Sequence, residues 1–169
     1  MKPEVLIIDQ DGLLRQRLSC RLQQEGYRVN EVESSDEAAE IACSRDIDVV
    51  LLGLGHLKKE AFGLLQQIKH IRPVTEIILL NSGEDIHLSI EGMKLGAFDD
   101  IFPPFDLTVI SNRVNAAREN KKKNQQEEDM ERTFPLAINQ FVTTVGLNHV
   151  RLWYGMVLEQ FLEFDLGRS

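Results

Sequence analysis

Asp9 and Asp11 stand either side of Gln10, just past the first apolar run of the chain at residues 5–8. Carboxylates in such a place could hold a hard divalent cation through oxygen. A second apolar run, 49–52, follows Asp48 and ends on Gly53, and glycine has no side chain that could act as a nucleophile. Gly53 and Gly55 lack the fuller glycine spacing of a phosphate-binding loop. Asn81 ends a third run, and Pro103-Pro104 follows a fourth. His56, His70, His87 and His149 form no metal-ligand spacing and read as surface or half-buried residues. Cys20 and Cys43 each sit inside a helical pattern and read as small core or half-buried thiols, not as a disulfide or metal framework. The residues able to do chemistry are therefore few, and most lie just past apolar runs.

The elements that must position them can be read from periodicity. Residues 5–8, 27–32, 48–55, 76–80 and 97–102 read as strands. Strand three is a short apolar run, rich in β-branched residues and bounded by an acid on one side and glycines on the other, the pattern of a strand buried on both faces of a parallel sheet. Between the strands lie helical patterns. The first carries Leu13, Leu14, Arg17, Leu18, Arg21 and Leu22, and Gly26 stops it. The second opens on Ser34-Ser35-Asp36-Glu37, a capping hydroxyl with early acids. The third turns Phe62, Leu64, Leu65 and Ile68 inward, and the fourth spans 85–95 and closes at Gly96. Asp106 caps a fifth. Five strands alternating with five helices predict a flavodoxin-like α/β fold, a five-stranded parallel sheet of order 2-1-3-4-5 with helices on both faces. In that order strands one and three are neighbours, so Asp9 and Gly53 meet at the switch point where such sheets place their chemistry.

Composition agrees with a globular protein. Of 169 residues, 43% are hydrophobic and 27% charged, and the net charge is −8. That sign repels nucleic acid, and no apolar run approaches the roughly 20 residues of a membrane helix. The expectation is a cytoplasmic protein with neither nucleic acid nor membrane as a partner. Lys121, Lys122 and Lys123 form a basic run, but Glu127, Glu128, Asp129 and Glu131 follow, so the run reads as a solvated helix face.

Residues 4 to about 120 resemble the receiver domain of two-component response regulators. The segments that carry the likeness are Val5-Leu6-Ile7-Ile8-Asp9-Gln10-Asp11, Gln24-Glu25-Gly26-Tyr27, the stretch from Asp48 to Gly55, and Met93-Lys94-Leu95-Gly96-Ala97-Phe98-Asp99-Asp100 with Pro104-Phe105-Asp106-Leu107 beyond it. The resemblance implies an acidic pair for Mg²⁺ after strand one, where this chain has Asp9 and Gln10. It implies a phosphoacceptor aspartate at the place of Gly53, a Ser or Thr at Asn81, an aromatic switch residue at Asp100 and a Lys at Pro103. It also implies a cis peptide bond before Pro104. Only Asp9 keeps its residue among the five catalytic positions. Asp9 then reads as a carboxylate held by loop N–H groups and a helix start rather than as a metal ligand. Asn81 either stands in for the switch hydroxyl or satisfies loop backbone. No metal and no cofactor is expected.

The domain reading is 1–120 for the receiver-like part and 121–169 for a helical extension. The extension begins as a continuation of helix five. Phe134-Pro135 interrupts it, a helix over 136–145 follows, and a last helix begins near Asn148. Phe141, Val145, Trp153, Val157, Phe161 and Phe164 form an apolar surface that fits a homodimer, with folding back onto the receiver as the competing arrangement. The functional expectation is a non-enzymatic signalling module of phosphorelay pathways that binds protein partners without being phosphorylated. The alternative is a regulator that binds a small ligand in the vacated pocket around Asp9, Asp11, Gly53 and Asn81.

Overall fold

The computed structural model describes residues 2–55, 57–81 and 86–145; of the side chains of 58, 59, 86 and 134–145 nothing is said. Five strands, β1 (Glu4–Ile8), β2 (Arg28–Val32), β3 (Val49–Gly53), β4 (Glu76–Leu80) and β5 (Asp99–Ile101), alternate with α1 (Gly12–Gln24), α2 (Ser35–Ser44), α3 (Lys58–Ile71), α4 (Ile86–Lys94) and α5 (Leu107–Val145). All strand pairs are parallel, in the order β2-β1-β3-β4-β5. The predicted topology is thus the observed one. β5 is shorter than the sequence suggests, three residues in place of six.

Side-chain alternation along the strands builds two apolar layers. Leu6, Ile8, Val50, Leu52, Ile77 and Leu79 face Ala38 and Ala42 of α2 and Phe62, Leu65 and Ile68 of α3. Val5, Ile7, Val49, Leu51, Ile78 and Leu80 face Leu18 and Leu22 of α1 and Ile110, Val114 and Ala117 of α5. β1, β3 and β4 are buried along their whole length. β2, at the sheet margin, is mostly exposed or half-buried, as its mixed sequence predicts. α4 lies close on β4: a Cβ at Gly92 would come within 2.3 Å of Leu79 Cδ1, so glycine there permits the contact.

Local signals mostly act as read. The Ser34 hydroxyl accepts from the Glu37 N–H, and Asp106 Oδ1 accepts from the N–H groups of Thr108 and Val109. Gly26 and Gly96 take positive φ angles of 92° and 98° at helix ends, which a side chain would disfavour. His70 and His87 are exposed, while His56 and His149 lie outside the described residues, as does Asp85.

The buried stripe of α1 runs through Arg15, Leu18, Ser19 and Leu22, with Leu13 and Arg17 exposed. Three readings need correction. Cys20 and Cys43 are both free and exposed, on the outer sides of their helices. Pro135 does not break α5, which runs 39 residues from Leu107 to Val145. Proline removes one hydrogen bond at a cost of about 3 kcal/mol; the strong helix formers before it and Leu136-Ala137 after it carry the helix across. Finally, Lys121 is 1% exposed and not part of a solvated face. Contacts divide the chain into the units Met1–Gln125 and Gln126–Ser169. Trp153, Val157, Phe161 and Phe164 lie outside the described residues, and Phe141 and Val145 are described only as helix backbone.

Tyr27 joins the start of β2 to α5 through its hydroxyl, which donates to Asn115 Oδ1. Burial raises its phenol above the usual 10.0, against a smaller opposing pull from Arg118. The folded chain therefore keeps this proton after the unfolded chain has lost it. The stabilisation is complete below pH 10 or so and is lost as pH rises toward the folded value. Urea midpoints measured across that range should fall in the native chain and fall less in Tyr27→Phe; equal alkaline slopes would contradict the assignment.

Candidate functional site

The carboxyl ends of β1, β3, β4 and β5 bring Asp9, Gly53, Asn81 and Pro103 to one edge of the sheet. The register Ile8↔Leu52 and Gly53↔Leu80 places Asp9 and Asn81 on either side of Gly53. The peptide bond between Pro103 and Pro104 is cis, as expected.

Asp9 is half-buried, and its Oδ1 accepts from the Asp11 N–H at 2.8 Å. A loop N–H thus holds the carboxylate, as the sequence suggests. Its other oxygen takes up space that matters. A Cβ built on Gly53 would lie 2.1 Å from Asp9 Oδ2 and 2.6 Å from its Cγ. Gly53 has no positive φ, so the backbone does not require glycine there. The neighbouring carboxylate does, occupying the volume where a side chain at 53 would begin.

The other acids do not complete a cation site. Asp11 is the N-cap of α1, its Oδ1 accepting from the N–H groups of Leu13 and Leu14 at 3.0 and 3.1 Å. Gln10 is an exposed amide. Mg²⁺ asks for near-octahedral oxygen ligands, two or more of them commonly anionic. Among the described residues no group of three His, Cys, Asp or Glu side chains comes together to hold a metal. The residues present therefore do not fit the ion implied by the family likeness.

Asn81 is fully buried. Its side-chain amide donates to Ser89 Oγ on α4 at 2.7 Å, and its backbone N–H to Ile101 O at 2.9 Å. Asn81 thus ties α4 to the end of β4. Asp100 is half-buried on β5; both carboxylate oxygens are covered and have no hydrogen-bond partner among the described residues.

Sequence reasoning missed Arg15. Its guanidinium donates to the Asp9 carbonyl oxygen and to Glu33, joining the β1 end to the β2–α2 loop. The signal was its place four residues after the Asp11 cap, on the stripe of Leu18 and Leu22. A cleft of about 580 Å³ opens beside the site, between the start of α2 and α3. Gln10, Glu33, Ser34, Asp36 and Glu60 line it, but Asp9, Asp11, Gly53 and Asn81 do not.

The packing at Gly53 yields a double-mutant test. Gly53→Ala should cost about 1–3 kcal/mol, as overpacking does. Asp9→Ala should remove most of that cost, a coupling of about 1 kcal/mol or more. Additive effects in chemical denaturation would mean that Asp9 does not fill this space.

The fold agrees with what the chain is similar to. The response regulator receiver domain family matches residues 5–115. A probable transcriptional regulator ycf27 of Guillardia theta is 30% identical over 146 residues, which is 86% of this chain and 52% of the relative. The transcriptional regulatory protein ResD of Bacillus subtilis is 27% identical over 67% of this chain and 47% of its own length. The chain therefore spans about half the length of such relatives. Among solved structures, a response regulator receiver domain protein from Clostridium thermocellum is 30% identical, with a TM-score of 0.66, over 71% of this chain and 97% of that one. A CheY-like receiver domain from Methanospirillum hungatei shares the fold, with a TM-score of 0.69 at 18% identity, over 73% of this chain and 99% of that one. Matched over most of its length by the family and by these relatives, the chain belongs to the response regulator receiver domain family.

Proposed function

We propose that this receiver domain serves phosphorelay signalling through contacts with protein partners, without aspartyl phosphorylation and without enzymatic activity of its own. The observation that carries the reading is the Asp9 carboxylate beside Gly53, whose Oδ2 lies 2.1 Å from where a Cβ at 53 would be. Phosphoryl transfer to a receiver needs a carboxylate nucleophile, a cation and a neutralising positive charge. Here the nucleophile's place holds Gly53, the ion's second ligand is Gln10, and the lysine's place holds Pro103. At the switch position Asn81 offers an amide, engaged with Ser89 on α4, in place of a hydroxyl. A small ligand in the same place is the weaker reading, because the Asp9 side chain takes up the room beside Gly53.

The relatives include proteins named as transcriptional regulators. For this chain that gives the context of a signalling pathway, not a DNA contact. Past Arg132 only Arg151 and Arg168 are basic among Lys and Arg. No described helix is long and apolar enough to cross a membrane. The reading divides the chain into a receiver body and a helical extension.

With acetyl phosphate and Mg²⁺, intact-mass analysis should find no phosphoryl adduct that hydroxylamine removes. Gly53→Asp should also stay unmodified, since Gln10 and Pro103 remain and Asp9 must move. A labile adduct on the native chain would overturn the proposal.

The extension is proposed to pair two copies through Phe141, Val145, Trp153, Val157, Phe161 and Phe164, which recur at helical spacing in the sequence. Light scattering at micromolar concentration should give a dimer mass, reduced to the monomer by Trp153→Ala with Phe161→Ala. A monomeric native chain would refute the pairing.

A further inference from the structure

The inner stripe of α5 does not end with the apolar core. Ile110, Val114 and Ala117 are fully buried, and the same helical spacing continues to Lys121 and Asn124. At Lys121 the stripe changes from apolar to charged without coming to the surface, since this residue is only 1% exposed. A lysine that loses its water must recover the loss from fixed acceptors. Its Nζ meets Asp46 Oδ1 at 2.8 Å, the Ile47 carbonyl oxygen at 3.0 Å and Asp48 Oδ1 at 3.2 Å.

Those acceptors belong to a row. The register Val5↔Val49 sets Glu4 beside Asp48, and Val49↔Glu76 sets Glu76 one residue further along, its N–H donating to the Asp48 carbonyl oxygen at 3.2 Å, so the three acids gather at the amino ends of three neighbouring strands. Asp48 Oδ2 accepts from the Glu4 N–H at 2.7 Å, linking the lysine's partner directly to β1. Glu76, 4% exposed, accepts from Asn120 at 2.7 Å and from Asn124 at 3.2 Å, and pairs with Lys69 at 3.1 Å. Asn120, Lys121 and Asn124 of α5 therefore each address these acids, and all of them lie within the unit Met1–Gln125.

We propose that the row is a dock for α5, with Lys121 as its pin, making residues 118–125 and the β1–β3–β4 edge one cooperative element. The dock lies at the end of the sheet opposite Asp9 and Gly53. It passes a change in the α5 extension to the strand ends, or the reverse, with no phosphoryl group involved. Asn120 and Asn124 are positioning residues that align the helix while Lys121 carries the charge.

Hydrogen exchange on the full chain tests this. Lys121→Met keeps the stem of the side chain and removes its charge. The dock predicts that amides 118–125 and the Glu4 amide exchange about tenfold faster, while amides 114–117 and 6–8 keep their protection. Unchanged exchange at 118–125 would overturn the dock. So would a rise in α5 alone with Glu4 unaffected, or an equal rise throughout the unit. If Lys121→Met does not fold, Asn120→Ala with Asn124→Ala decides, since these contacts involve Glu76 and leave the lysine in place. A smaller rise confined to 118–125 and the Glu76 amide supports the dock, and no rise or a uniform one overturns it.

Discussion

Three adjacent strands buried on both faces leave polar groups only two places to gather, the two ends of the sheet. β1, β3 and β4 accept no charged side chain along their middles. At the carboxyl ends this constraint collects Asp9, Gly53 and Asn81, and at the amino ends Glu4, Asp48 and Glu76. The fold is one that the receiver family shares. At the carboxyl end the Asp9 carboxylate lies close to Gly53 and is held by the Asp11 N–H. The amino end has a row of acids matched by a buried lysine.

The two ends obey the same rule. A charge removed from water needs partners whose positions are fixed. Asp9 finds one in the Asp11 N–H, and with no side chain at 53 its second oxygen settles into the vacated volume. Lys121 finds three acceptors in the α2–β3 connection at the sheet's amino edge and gives α5 a fixed course past the apolar core. Asn81 and Ser89 add a buried tie between β4 and α4, so each of the elements that flank the emptied place is already held.

Much of this could be read from the chain. Strand order followed from the alternation of apolar runs with helical patterns, and the caps at Ser34 and Asp106 followed from residue type alone. The arrangement of Asp9 against Gly53 was legible only in part. The sequence places them together, but the direction of the Asp9 carboxylate depends on a three-residue loop whose N–H groups compete for it. Lys121 was hidden by its neighbours. Lys122 and Lys123 are exposed, and a basic run reads as one surface unless each residue is placed on the stripe of Ile110, Val114 and Ala117. Pro135 misleads for a different reason, since the cost of one proline is smaller than the combined preference of a long helix on either side.

The most direct measurement is calorimetric titration of the native chain with Mg²⁺, alone and together with beryllofluoride as a stand-in for a phosphoryl group. If the Asp9 carboxylate closes the place beside Gly53, neither titration gives heat beyond dilution up to about 1 mM ligand, which corresponds to roughly 4 kcal/mol of binding free energy. Saturable binding of either ligand below that concentration, lost in Asp9→Ala, would show an open and functional cation site and would contradict the account.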